Sequence, residues 1–254
     1  NPGLSDAACF RATDPDGFLM GFDGDAPVAG ISVVRYGSGF GFLGFYIVPP
    51  EFRGRGYGYR LWQAGMARLE GRVVGLDGVV AQQENYRRSG FTLVHRNIRF
   101  GGTPRAPAQP DPRIRVVDGA LLDAVLAYDR AFFPASRESF LRCWLRPDRH
   151  YALALIEDGS LRGYGVLRAC RTGFKIGPLF AEHDEGAECL FRSLAAEAKG
   201  APVFLDVPEP NAAARALAAR YDLSPVFETA RMYRGPDPGL PLSRIFGVTT
   251  FELG

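Results

Sequence analysis

The densest chemistry in the sequence lies in one stretch, Phe45-Tyr46-Ile47-Val48-Pro49-Pro50-Glu51-Phe52-Arg53-Gly54-Arg55-Gly56-Tyr57-Gly58. A run of strand-forming residues ends at two prolines, and three glycines at alternate positions lead into Tyr59-Arg60-Leu61-Trp62, the opening of a helix. Glycine lets a backbone approach a ligand closely with its amides turned outward. The amides of a helix's first turn lack intrahelical acceptors and favour an anion. Arg53 and Arg55 add charge of the matching sign. The chemistry is that of a pyrophosphate cradle, although the G-x-G-x-G spacing satisfies neither the dinucleotide fingerprint nor the Lys-Ser/Thr phosphate loop. A purely structural glycine turn is the alternative. A second cluster, Tyr86-Arg87-Arg88-Ser89-Gly90-Phe91, begins 28 residues after Gly58. Here a helix ends at a glycine cap and passes straight into a strand. That places Tyr86 one turn from the helix end, where it can point across the sheet, with an ordinary amphipathic core tyrosine as the alternative.

Holding these residues requires strands and helices in a regular order. In the first half, strands are predicted at Gly17–Gly21, Val28–Tyr36, Gly41–Val48, Val73–Val79 and Thr92–Phe100, each a β-branched or aromatic run bounded by Gly, Pro or Asp. Helices are predicted at about Gly58–Glu70 and Val80–Ser89, where apolar residues recur at three-to-four spacing. The segment GGTPRAPAQPDP, Gly101 to Pro112, holds four prolines and no apolar period, and reads as a linker. The expected division is therefore residues 1–101, a linker over 102–112, and residues 113–254.

The halves resemble each other. Gly30-Ile31-Ser32-Val33-Val34-Arg35 matches Gly163-Tyr164-Gly165-Val166-Leu167-Arg168, Gly44 matches Gly177, and Arg99 matches Arg231. A strand at Ile114–Val117 and helices near Leu121–Phe133 and Arg137–Leu145 precede the repeated pattern in the second half. The corresponding leading elements of the first half read as missing or reshaped. The fold class is α+β, with two mixed, mostly antiparallel sheets flanked by helices. A closing segment, Ile245-Phe246-Gly247-Val248-Thr249-Thr250-Phe251, carries a strand signal and is expected to complete a sheet. Arg244 and Glu252 beside it can line a pocket at the junction of the halves, with no chemistry assigned to them.

Composition narrows the function classes. With 254 residues, 46% hydrophobic and 23% charged, the chain is that of an ordinary globular protein. Thirty basic against 28 acidic side chains give a net charge of +2, which argues against a nucleic-acid face. No apolar run reaches the length of a membrane span. Cys9, Cys143, Cys170 and Cys189 are scattered without a C-x-x-C pair and read as reduced, buried thiols. His95, His150 and His183 show no metal-ligand spacing, so no metal is expected. The chain opens Asn1-Pro2-Gly3 without an initiator Met or apolar leader and reads as trimmed at its start, so the expectation of a cytoplasmic location rests on the reduced thiols.

Taken together, the two clusters resemble the GCN5-related N-acetyltransferase (GNAT) superfamily. Its R/Q-x-x-G-x-G/A loop is matched by Arg53-Gly54-Arg55-Gly56-Tyr57-Gly58 after a strand ending Val48-Pro49, and its Y-x-x-x-G-F signature by Tyr86 to Phe91. The motifs cover about residues 17–100. Topology alone extends the resemblance over about 114–235, as in tandem members whose C-terminal half is a degenerate copy. Carried forward by 133 residues, Arg53, Gly56 and Gly58 become Gly186, Cys189 and Phe191. Carried forward by 132, Tyr86 and Gly90 become Ala218 and Asp222, so both anchors are lost there.

The resemblance implies one acetyl-CoA per chain, held in the first half by Ile47, Val48, Arg53, Gly54, Arg55, Gly56, Tyr57, Gly58, Tyr59 and Asn85. It also implies an oxyanion donor at a backbone N–H near Ile47 and Tyr86 as the acid for the leaving thiolate. The sequence departs from the family where relatives carry a strand-four acid, since Gly44 and Phe45 stand there, and at Val79, where relatives often have Asn. The general base is left open between a water relay and the second half, with Asp129 and Asp206 as candidates. A capping or salt-bridging role is the alternative for each. The implied activity is N-acetyl transfer to a primary amine of a small molecule by direct attack in a ternary complex, with no nucleic-acid or membrane partner. A non-catalytic CoA or acyl-CoA sensor is the rival, and oligomeric state is not assigned.

Overall fold

The computed structural model describes residues 2–105 and 111–254. In the first half its elements are α1 (Asp6–Thr13), β1 (Phe18–Asp23), β2 (Ala26–Tyr36), β3 (Phe40–Ile47), α2 (Tyr57–Arg68), β4 (Val73–Val79), α3 (Gln83–Arg88) and β5 (Thr92–Gly102). There follow β6 (Ile114–Val116), α4 (Gly119–Asp129), α5 (Glu138–Trp144), β7 (Tyr151–Glu157), β8 (Ser160–Ala169) and β9 (Phe174–Ala181). The chain continues through α6 (Asp184–Glu197), β10 (Val203–Pro208), α7 (Ala212–Arg220), β11 (Ser224–Arg234) and β12 (Ile245–Gly247). Of the expected linker, Gly102 closes β5, and residues 106–110 lie outside the described residues.

All twelve strands of the described residues join one mixed sheet in the order β1-β2-β3-β4-β11-β5-β10-β9-β8-β7-β6, with β12 against β9. β11 lies between β4 and β5, antiparallel to both, and β5 in turn pairs antiparallel with β10. Each half therefore lends its last long strand to the other. Two buried ion pairs pin the exchange. Arg231 on β11 meets Asp77 on β4 at 2.6 and 2.9 Å, and Arg99 on β5 meets Asp206 on β10 at 2.6 and 2.8 Å. The matched pair Arg99 and Arg231 thus holds equivalent places in the two halves.

Strand alternation sorts the core. Ile31, Val33, Leu43 and Leu76 face α2 and α3, while Leu153, Leu155 and Ile176 pack in the cluster built with α6 and α7. The intervening residues, among them Val34, Phe42, Ala152, Ala154 and Tyr164, belong to one cluster shared by the halves and filled by α1, α4, α5 and the closing segment.

Three expectations are corrected. The first half does begin with a helix, α1, whose Asp6 is buried against Arg168 of β8. The closing segment forms only the three residues of β12 as strand. Beyond Gly247 it is drawn away, with Arg168 Nη2 donating to the Thr249 carbonyl at 3.1 Å and Arg137 Nη1 to Thr249 Oγ1 at 2.9 Å. Finally, Cys9 of α1 and Cys143 of α5 form a disulfide across the packed helix pair, so the reading of four reduced thiols does not hold. Only Cys170 and Cys189 remain thiols. The cytoplasmic expectation loses that support. No helix among the described residues is long and apolar enough to cross a membrane.

Candidate active site

The site begins where two parallel strands part. β3 and β4 pair from Phe40 and Val73 to Leu43 and Leu76, and the ladder stops there while both strands continue. On the other edge of β3 the register with β2 slips between Gly30 and Ser32, and Phe45 takes φ 45°. A bulky residue in this region stores strain and is characteristic of functional sites. The opening is a cavity of about 700 Å³ lined by Gly44 to Val48 on one side and Asp77 to Val79 on the other. That volume suits a small organic ligand.

At one end of the opening stands the glycine loop. Gly54 and Gly56 have φ of 73° and 79°, a conformation that glycine adopts without the Cβ penalty. Gly56 is the N-cap of α2, and no side chain caps that helix. Its first-turn amides are therefore available to an anion. Arg53 Nε donates to the Val48 carbonyl at 2.9 Å, tying the loop to the end of β3. The Arg55 guanidinium lies 4.9 Å from the centre of the Tyr57 ring and 3.6 Å from Asp23, and Tyr57 donates to the same carboxylate. Ile47, Val48 and Arg53 line the cavity. Tyr59, 65% exposed, and Asn85, bonded to Gln82 Oε1 at 2.6 Å, are not part of its wall.

Tyr86 is delivered by α3, whose end is closed by Gly90 at φ 85°, with Phe91 N–H donating to the Tyr86 carbonyl at 3.1 Å. The ring stacks on Trp62 at 5.6 Å and crosses β4 at Gly78. A Cβ at Gly78 would lie 2.4 Å from the ring, so only glycine admits it. Burial, with a smaller contribution from Tyr46, pushes the Tyr86 phenol up to about 12. It is a protonated side chain on the cavity wall.

The structure brings neither candidate base to the cavity wall. Asp129 is 2% exposed and bonded to Arg137 at 2.6 and 2.8 Å and to the Tyr164 hydroxyl. Asp206 is engaged by Arg99, and Lys175 stands 3.8 Å away. Burial alone would raise the Asp206 carboxyl, but Lys175 and Arg99 outweigh it and hold it below the usual range. A buried carboxylate needs such partners, and these partners are structural. The carboxylates that do line the cavity are Asp77 and Glu252. Asp77 carries Arg231 and an Asn97 bond of 2.8 Å.

In the second half the corresponding opening is plugged. β9 and β10 pair in parallel only as far as Ile176 and Leu205, and β12 then lies against β9 at Phe180 and Leu179. Val248 N–H bonds the Asp206 carbonyl at 2.8 Å, closing the wedge. The helix that would face an anion, α6, is capped by its own His183 and begins Asp184-Glu185. The degeneracy seen in the sequence is therefore physical: the opening is filled, and the helix end is satisfied and acidic.

Two family models match the chain, an acetyltransferase (GNAT) family model over residues 3–91 and an acetyltransferase (GNAT) domain model over residues 125–247. The holothin acyltransferase of Pseudoalteromonas sp. (strain SANK 73390) is 30% identical over 253 residues, covering 99% of this chain and 86% of that protein. A Pyrococcus horikoshii structure described as an acetyltransferase superposes with a TM-score of 0.85 at 23% identity, covering 98% of this chain and 84% of that one. A tandem GNAT protein from the clavulanic acid biosynthesis pathway gives 0.64 at 17% identity, covering 93% and 89%. The chain belongs to the GNAT acetyltransferase family, in its tandem form, and is an acyltransferase.

Proposed function

We propose that the chain transfers an acetyl group from acetyl-CoA to a primary amine of a small molecule, by direct attack with both substrates bound. The observation that carries this reading is the parted β3–β4 pair, with the uncapped start of α2 at one end and protonated Tyr86 on its wall. The residues present fit the cofactor. A Cβ built at Gly54 or Gly56 meets nothing within 4 Å, so the loop faces open space while its arginines and amides suit a pyrophosphate. When bound, acetyl-CoA supplies the acyl group as a thioester. Arg53 and the amides from Gly54 to Gly58 hold its phosphates, the backbone of Ile47 and Val48 orients the pantetheine arm, and an N–H near Ile47 stabilises negative charge on oxygen. Tyr86 donates the proton the departing sulfur needs. The second half, its own opening plugged, shapes the acceptor side, and one cofactor binds per chain. The holothin acyltransferase relative supports a small-molecule acceptor.

Calorimetric titration with acetyl-CoA and CoA, followed by thiol-release screening against an amine library, tests this. One equivalent bound with turnover on an amine is the expected result. The glycine at position 44 favours the sensor as second reading, and one equivalent bound without turnover on any amine would establish it. No binding at all would refute both.

A further inference from the structure

Of the cavity's two carboxylates, Asp77 is held by Arg231 and Asn97, whereas Glu252 makes no hydrogen bond or ion pair among the described residues. Its Oε2 is buried and unpartnered. The geometry points to Glu252 as the group that takes the proton from the acceptor's ammonium, an assignment that rests on the acyl-transfer reading above.

Glu252 comes from the closing segment, which lies directly on β3 at Gly44. A Cβ at Gly44 would stand 2.1 Å from the Glu252 carbonyl oxygen and 3.0 Å from its Cα. The absence of a side chain on the strand is thus what admits an acid from elsewhere in the chain. Along β3, Leu43 packs toward α2, whereas Phe42, Phe251 and Leu253 belong to the shared cluster on the opposite face. Gly44 shares the side of Phe42 by strand alternation. Glu252 therefore approaches across the sheet from the phosphate loop, on the side left for an acceptor. The segment is fixed there. Tyr36 donates to the Leu253 carbonyl at 2.9 Å, Leu253 N–H to Thr250 Oγ1 at 2.9 Å, and Arg137 to the Gly254 carbonyl at 3.3 Å. The charged groups facing Glu252 are Arg99 of β5 and Lys175 of β9, with Asp77 of β4, Arg53 of the loop and the Tyr86 phenol around the same cavity.

The step balances within these groups. Glu252 removes one proton from the ammonium, and the nitrogen lone pair forms the new C–N bond. The C–S bond breaks with its electron pair on sulfur, which takes the Tyr86 proton. The second proton on nitrogen returns to the Tyr86 oxygen, and Glu252 gives its own to solvent.

The test compares wild type with Glu252→Gln and Glu252→Asp, starting with benzylamine, chosen for the Phe45, Phe227 and Phe251 wall, and continuing with the fastest amine of the thiol-release screen. In E252Q, kcat/KM for the amine is expected to fall about 100-fold or more, rising with pH up to the amine's own pKa, while acetyl-CoA affinity stays within about twofold. E252D, with the charge at shorter reach, recovers part of the loss, which also covers any destabilisation of the segment by Gln. Without acetyl-CoA, E252Q is expected to bind benzylamine at least about tenfold more weakly and benzyl alcohol equally well, since only the ammonium loses a charge-assisted hydrogen bond. An E252Q enzyme with wild-type rate and pH profile, or equal losses in E252Q and E252D, would overturn the assignment and leave acyl transfer standing. A wild-type protein that binds acetyl-CoA but acylates no amine would overturn the functional reading, and this assignment with it.

Discussion

Replacing Gly44 by alanine isolates the contact between β3 and the closing segment. Gly44 lies outside the left-handed backbone region, so alanine brings no conformational strain of its own. Its Cβ would fall 2.1 Å from the Glu252 oxygen, more than 1 Å inside ordinary contact, and the obstacle is backbone that cannot rotate away. Two responses are open. Shifting the segment while keeping it packed costs about 1–3 kcal/mol, as in overfilled cores. Releasing it loses the burial of Phe251 and Leu253, roughly 1.5–3 kcal/mol each, and the bonds from Tyr36 and Arg137, about 1 kcal/mol apiece. The shift is the smaller, so a destabilisation of about 2 kcal/mol is expected. In a chain of this size that corresponds to a fall of about 4–8 °C in melting temperature. Scanning calorimetry measures it directly, and acetyl-CoA affinity measured alongside should be unchanged because the loop is untouched. A G44A protein that melts within about 1 °C of wild type would refute the packing of this segment on β3.

Gly56→Val, which forces a β-branched residue into a left-handed position at the head of α2, is expected to abolish acetyl-CoA binding by titration. Tyr86→Phe should bind acetyl-CoA normally but turn over about 10²-fold more slowly; unchanged acetylation would remove Tyr86 from the proposed acid role. Burial, with Arg231 adding to it, lowers the His95 imidazole to about 4. The folded protein refuses a proton that the unfolded chain accepts below about 6.5, so stability should fall by at most roughly 3 kcal/mol as pH drops from 6.5 to 4. His95→Gln should flatten that slope in urea melts taken across the range. Reduction of the Cys9–Cys143 bridge, which spans 134 residues of chain, should lower stability by about 2–4 kcal/mol. Thiol titration of the unfolded, unreduced protein should count two cysteines instead of four.

The parts of the site that were legible in the sequence are those built from neighbours in the chain. Arg53 to Gly58 and Tyr86 to Phe91 each carry their geometry in local glycines, and β4 matches its prediction residue for residue. α1 was not legible because its helix is short and weakly patterned; it is held by a disulfide and an ion pair to residues far along the chain. Asp129 and Asp206 looked available because their partners, Arg137 and Arg99, stand 8 and 107 residues away. The exchange of β5 and β11 leaves no trace in apolar alternation, since each strand buries the same faces whichever half it joins. Glu252 was legible as a pocket-lining residue of the closing segment, and it does line the cavity, but its chemistry was not, because its place over Gly44 depends on a contact between residues far apart in the chain.

The exchanged strands also order the protein's synthesis. A chain leaving the ribosome presents β4 long before Ser224 to Arg234 can occupy the lane beside it. Until then the first half carries an open sheet edge, the kind of surface that pairs with strangers or with a chaperone. Its ion pair at Asp77 arrives with that strand, since Arg231 is part of it, and the segment that brings Glu252 over Gly44 arrives later still. A ribosome that stalls or a message that is cut before this point yields no half-working enzyme. Two separately expressed halves would have to find each other to complete the shared sheet. Assembly and competence are in this chain the same event, reached only when its last long strand is in place.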